Sequence, residues 1–189
     1  MVTSAEDTAR HSATLVGMSD ESPCPPLDRA ATIQEEWHRE RPDLDVTPLG
    51  VIGRVHRLAA ALTPELVSVY SKHGLSEGDF DVLAALRRTG PPFERAPSTL
   101  AESTMITTGG MTKRLDRLVE AGLVSRRVAS DDARRRVVAL TAAGRQLIDR
   151  AFEEHVANEH RLLSVLPPED AVQLEGILTR WLGHFEQPS

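Results

Sequence analysis

The stretch TTGGMTKRLDRLVEAGLVSRRVASDDARRRVVALT, residues 107–141, decides the fold. Its first half has helical spacing. At 100° per residue Met111, Leu115, Leu118 and Val119 gather on one side, and Gly110, Lys113, Arg117 and Glu120 on the other. Thr112 and Arg114 fall on the two borders. Thr107 or Thr108 caps this helix, which runs to about Ala121. Gly122 ends it in a left-handed cap, with Leu123 packing back. Residues 124–128 and 136–140 then have strand composition, and 129–135 join them as a hairpin.

Charge marks the same stretch. Residues 107–140 carry eight Lys/Arg against four acids, a local charge of +4 in a chain of formal net charge −6. A basic island in an acidic protein points to a localised anionic partner, most simply the phosphates of DNA. The chain has 20 Arg to 2 Lys, and a guanidinium suits bidentate phosphate or base contacts.

Working outward, residues 98–105 form a short helix capped by Ser98, and a tight break separates it from 107–121. That pair fits a helix-turn-helix whose second helix enters the major groove. The small residues Thr107, Thr108, Gly109 and Gly110 let the backbone approach closely and leave amides for phosphate. Thr112 and Lys113 are edge or phosphate contacts, and Arg117 projects outward as the strongest candidate for guanine or phosphate. The hairpin is a wing. Arg134, Arg135 and Arg136 stand at or near its tip to follow the backbone or reach the minor groove, with Arg127 on the same ribbon. Asp132 braces the turn by an ion pair.

Upstream, residues 75–90 begin with a Ser76 cap and the first-turn acid Asp79, face Phe80, Leu83 and Leu86 inward, and stop at Gly90-Pro91-Pro92. Residues 93–97 are a loop with room for a short strand contact. Thr47-Pro48 opens a longer helix with the buried stripe Leu49, Ile52, Val55, Leu58, Ala59 and Leu62. Pro64 should kink or break it near 60–63, and it closes at Gly74. Residues 28–40 form a further helix with Asp28 as cap and Ala30, Ile33 and Trp37 at helical spacing. Residues 1–27 read as a disordered arm.

Downstream, Thr141 caps a long helix with inward Leu147, Ile148, Ala151, Phe152, Val156, Leu162, Leu163 and Leu166. Pro167-Pro168-Glu169 opens a last helix with the stripe Leu174, Ile177, Leu178, Trp181, Leu182 and Phe185. Residues 48–73 and these two helices offer more apolar stripe than one small reader head covers. An isologous homodimer is therefore expected. The expected fold class is mainly α with a small β wing: a winged helix-turn-helix dimerised through its N- and C-terminal helices. Residues 75–141 are the DNA-binding part of a 46–189 domain, with 46–74 and 141–186 as dimerisation helices.

Other classes find little support. No apolar run reaches the ~18–20 residues that span a bilayer, so a cytoplasmic protein is expected. The single cysteine, Cys24, excludes an internal disulfide and a cysteine-based zinc site, and reads as a spectator thiol before a redox sensor. Seven histidines form no HExxH and read mostly as surface or interface residues. No GxSxG, P-loop or GxGxxG occurs. Neither catalysis, a cofactor nor a metal is expected. The alternative is a winged-helix protein–protein module that does not bind DNA.

The segments LSEGDFDVLAALRRTG (75–90), PSTLAESTMITTGGMTKRLDRLVEAGLVSRR (97–127) and DDARRRVVALTAAG (131–144) resemble the MarR family of winged helix-turn-helix regulators. The last holds the family's Asp-x-Arg wing motif as Asp132 and Arg134. The resemblance spans residues 46–186. It implies a homodimer on a pseudo-palindromic operator, acting as a repressor released by a small phenolic, urate-like or other ligand, or by an oxidant. The added helix resembles the urate-responsive PecS and HucR branch, whose ligand positions match Trp37, Asp81 and Arg114 here. That branch carries a further arginine where this chain has Glu102. The resemblance thus implies urate or another anionic aromatic as effector. The plainer readings keep Trp37 as a core anchor, Asp81 as a first-turn acid and Arg114 as a phosphate contact.

Overall fold

The structure, a computed structural model, describes residues 28–102, 104, 110–129 and 136–186. Cys24, Thr107, Thr108, Asp132, Arg134 and Arg135 therefore lie outside the described residues. The chain divides after Val55 into two compact units.

The first unit holds α1, Arg29–Glu40, and the start of α2, Thr47–Lys72. Asp28 caps α1 as expected, its Oδ1 accepting from Ala31 N at 2.9 Å, while its Oδ2 accepts from Arg54 Nε at 2.8 Å. Gln34 Nε2 donates to Val46 O at 3.2 Å and ties α1 to the approach of α2. Ala30 is buried, but Ile33, Trp37, Leu49, Ile52 and Val55 are exposed. The expected buried stripe is apolar, but these members of it are exposed among the described residues.

α2 passes into the second unit and does not break at Pro64. The carbonyl that loses its partner there, four residues back at Ala60, lies on an exposed face where water reaches it. Thr63 Oγ1 also donates to Ala59 O at 2.9 Å within the same turn.

The second unit is built around α3, Glu77–Arg87. Ser76 and Asp79 form a reciprocal capping box at its start. β1, Glu94–Arg95, follows, and α4, Pro97–Glu102, begins at Pro97. Ser98 therefore stands inside the helix and not at its cap, because proline suits the first helical position. Next come α5, Met111–Glu120; β2, Val124–Val128; β3, Arg136–Leu140; α6, Ala142–Leu163; and α7, Pro168–Gly183. The strands form an antiparallel sheet in the order β1-β3-β2, with Val124 opposite Leu140 and Glu94 opposite Ala139.

The core is Leu83, Leu86, Leu100, Leu115, Leu118, Val124, Val138 and Ile148, none more than 2% exposed. Each such side chain contributes roughly 1.5–3 kcal/mol by leaving water. It joins α3, α4, α5, the sheet and α6 in one cluster, so the reading helix and the wing stand on a rigid base.

α6 starts where expected, with Thr141 Oγ1 accepting from Gly144 N at 2.9 Å. Ile148 and Ala151 are buried, but Phe152 and Leu163 are exposed, and α7 has no buried residue at all. Two histidines expected at the surface are largely covered. His155 Nδ1 lies 3.3 Å from the Tyr70 hydroxyl and its Nε2 3.2 Å from Glu159, while His73 Nε2 approaches Glu154 at 3.1 Å without hydrogen-bond geometry.

Candidate nucleic-acid interface

α5 turns a buried face of Met111, Leu115 and Leu118 toward the core and an exposed face of Thr112, Lys113 and Arg117 outward. Val119, expected inward, is exposed. The described helix begins at Met111, later than the threonine cap expected at 107–108, because Gly110 has φ 97° and no side-chain cap. A positive φ of that size suits glycine. The far end closes as a Schellman motif: Gly122 (φ 68°) donates to Val119 O and Leu123 donates to Leu118 O, both at 2.9 Å. That turn aims the chain directly into β2.

The arginines of this island do not all face solvent freely. Arg117 Nη2 donates to Asp79 Oδ1 at 2.5 Å and to Ser76 Oγ at 3.3 Å. Asp79 Oδ2 accepts from Ser76 N at 3.1 Å and Ser76 Oγ at 2.6 Å, so both carboxylate oxygens are engaged. The Asp79 side chain is only 7% exposed, that of Arg117 58%. Burial pushes the Asp79 carboxyl up, but hydrogen bonds from Arg117 and Ser76 outweigh it and hold the group below 3.8. Arg127 Nη2 reaches the Glu94 carboxylate at 2.5 Å, and that side chain too is 7% exposed. Arg126 pairs with Asp116 at 2.6 Å, linking β2 to α5. No side-chain hydrogen bond or ion pair joins Thr112, Lys113 or Arg136 to another described residue.

Arg114 differs again. Its guanidinium lies over the first turn of α3, so close that a Cβ at Gly78 would come within 2.2 Å of Arg114 Cζ. Nε and Nη1 are buried and have no hydrogen-bond partner among the described residues. A cation there faces the positive end of the α3 dipole, beside the first-turn acids Glu77 and Asp79. Asp81, expected as a first-turn acid, stands beyond that turn because α3 begins at Glu77. Asp81 is half-buried on α3. Trp37 is in the other unit, where its side chain is exposed.

Of the residues expected to meet DNA, then, Gly110, Thr112, Lys113 and Arg136 present open groups, while Arg117 and Arg127 are engaged by buried acids. Sequence reasoning took Asp79 only as a first-turn acid and passed over Glu94 and Gly78. The Ser76-x-x-Asp79 spacing signals the cap, but nothing local signals a partner 38 residues further on.

No described helix is long and apolar enough to cross a membrane. A sequence model of the MarR family matches residues 73–136. The chain is similar to the HTH-type transcriptional regulator PecS of Dickeya dadantii, 42% identical over 153 residues, which is 81% of this chain and 92% of that protein. Its structure is similar to AbsC, a MarR family transcriptional regulator from Streptomyces coelicolor, with TM-score 0.64, 26% identity and coverage of 74% of this chain and 95% of that one. It is also similar to NadR in complex with 4-hydroxyphenylacetate, with TM-score 0.54, 26% identity and coverage of 69% and 89%. PecS and AbsC are named as transcriptional regulators, and regulators of this family are not enzymes. The chain belongs to the MarR family and is a DNA-binding winged helix-turn-helix transcriptional regulator.

Proposed function

We propose that this regulator is a cytoplasmic homodimeric repressor that reads a pseudo-palindromic operator and leaves it when an anionic aromatic effector binds. The observation that carries the DNA contacts is the open face of α5. Thr112 and Lys113 project from it with no side-chain partner among the described residues, and Gly110 adds no side chain between backbone and DNA. Arg136 extends the positive surface into the wing. Thr107, Thr108, Arg134 and Arg135 are assigned as further DNA contacts from the sequence, and Asp132 as the partner of Arg134 through the family's wing motif. Lys113→Ala and Arg136→Ala should each weaken binding across sequences and lower the salt slope by about 0.9 per lost phosphate contact. Unchanged slopes in both would remove this assignment.

Dimerisation is supported by apolar surface. Leu49, Ile52, Val55 and Leu58 of α2, and Ile177, Leu182 and Phe185 of α7, are all exposed in one chain. Uncovered stripes of that extent mark an interface. A second copy across a two-fold axis would set two reading helices roughly 34–36 Å apart. Sedimentation should give a dimer mass, lost in Ile177→Glu/Leu182→Glu. A monomeric parent protein would end this reading.

The effector is supported by Arg114. Arg114 Nε and Nη1, buried and without a hydrogen-bond partner among the described residues, can donate to an anionic oxygen, and urate or 4-hydroxyphenylacetate supplies one on a planar ring. Asp81 and Trp37 are assigned to the site through the family resemblance. Calorimetry should show binding of one of these ligands that is lost in Arg114→Ala and weakened in Asp81→Ala and Trp37→Ala. Undiminished binding in all three would refute the site.

A further inference from the structure

We propose that Arg117 and Asp79 form a strut that sets the reading helix at its working angle, so that Arg117 serves DNA binding through Asp79 and not by touching DNA. The inference rests on the family's DNA-binding activity and assigns two positioning residues to it.

Three observations lead there. The Asp79 carboxylate is nearly inaccessible and has both oxygens occupied, Oδ2 by Ser76 and Oδ1 by Arg117. If Arg117 turned to a phosphate, that carboxylate would lose its only cationic partner among the described residues while still buried. Stranding a buried charge costs several times what one exposed ion pair returns. The strut also acts where leverage is largest. Lys113 stands four residues before Arg117 on the same exposed face of α5, about 6 Å along the axis, so any roll of the helix displaces it. Finally, the wing repeats the device: Arg127 on β2 reaches the buried Glu94 of β1. Both DNA-facing elements are thus held to the body by an arginine in a buried carboxylate.

The two roles of Arg117 predict opposite signs, which makes the test sharp. Affinity for duplex DNA from upstream of the protein's own gene is measured by anisotropy across a salt series, with the full-length chain. Wild-type binding is read first, so loss of the DNA-binding activity itself would be seen separately. Asp79→Asn adds positive charge and keeps the cap. The strut predicts that it weakens binding about tenfold, mid-range for partners in one hydrogen-bond network, with the salt slope unchanged. Arg117→Ala should fall by a similar factor, again at unchanged slope, and the double variant should bind no worse than the weaker single. Arg117→Lys keeps the charge but not the fork and should also lose affinity.

Tighter binding by Asp79→Asn, full affinity in Arg117→Lys, or a slope reduced by about 0.9 in Arg117→Ala would each overturn the proposal. If Asp79→Asn fails to fold by circular dichroism, Asp79→Asn/Arg117→Met leaves no charge buried. An unchanged slope in that protein supports the strut, and a reduced slope overturns it.

Discussion

Gly144 is the position at which a single methyl group should do most harm. It lies in the first turn of α6, and a Cβ there would come 1.9 Å from Leu123 O and 2.9 Å from Leu123 C. Both are backbone atoms, so no rotamer relieves the clash. Leu123 O also accepts from Thr141 N at 3.1 Å and from Thr141 Oγ1 at 3.1 Å, and Thr141 Oγ1 donates to Gly122 O at 2.8 Å. Separating the two segments enough for a methyl group breaks that set. Replacing glycine by alanine inside a helix gains about 1 kcal/mol on its own. Overpacking costs about 1–3 kcal/mol, and each broken hydrogen bond about 1 kcal/mol more. The net expectation for Gly144→Ala is a loss of roughly 2–3 kcal/mol, or about 5–12 °C in melting temperature for a chain of this size. Thermal unfolding followed by circular dichroism reads it. Gly176→Ala in α7, where the nearest atom is Arg180 Nη1 at 3.6 Å, is the control and should be neutral or stabilising. A Gly144→Ala protein that melts at or above the wild type would refute the claim that α6 is seated directly on the turn feeding the wing.

At Gly78 the three atoms nearest an added Cβ all belong to the flexible end of Arg114, so Gly78→Ala can displace that end. It should leave the melting temperature within a few degrees while strongly reducing effector-driven release from DNA, and an intact response would separate Arg114 from the effector. The chain has a single tyrosine, Tyr70, whose ionisation burial and the nearby charges of Glu159, Glu77 and Asp81 push up to about 12. Since the folded value lies above the ordinary 10.0, the stabilisation from a neutral phenol is complete below pH 10 and lost as pH rises through about 12. Phenolate absorbance should therefore lag the free amino acid, and a midpoint at 10 with native circular dichroism would contradict this burial. Glu94→Gln frees Arg127 and should cost about 1–3 kcal/mol of stability and weaken DNA binding. Tighter binding would instead make Arg127 a direct contact.

The local grammar of the fold was readable from residues. Ser76-x-x-Asp79 marked the start of α3, Gly122 the end of α5, Thr141 the start of α6, and both wing strands appeared where their composition placed them. Helical periodicity likewise told which side of α5 carries Leu115 and which Lys113. It could not tell that Arg117 finds Asp79, because a helical wheel assigns a face and not a partner on another element. The apolar stripes of α2 and α7 were correctly recognised as apolar. Periodicity does not say what covers them, and many of their side chains are exposed among the described residues. Of the kink or break expected at Pro64, the break does not occur, because the loss of one hydrogen bond is tolerable where the orphaned carbonyl meets water.

The central claim is that the open face of α5 and the wing neutralise DNA phosphates at two half-sites. Affinity for the upstream duplex measured between about 50 and 200 mM salt tests it most directly. Log K should fall linearly with log salt, with a slope of about −4 or steeper for two copies each making several phosphate contacts. A slope near zero, or no retention of that DNA at low salt, would contradict it.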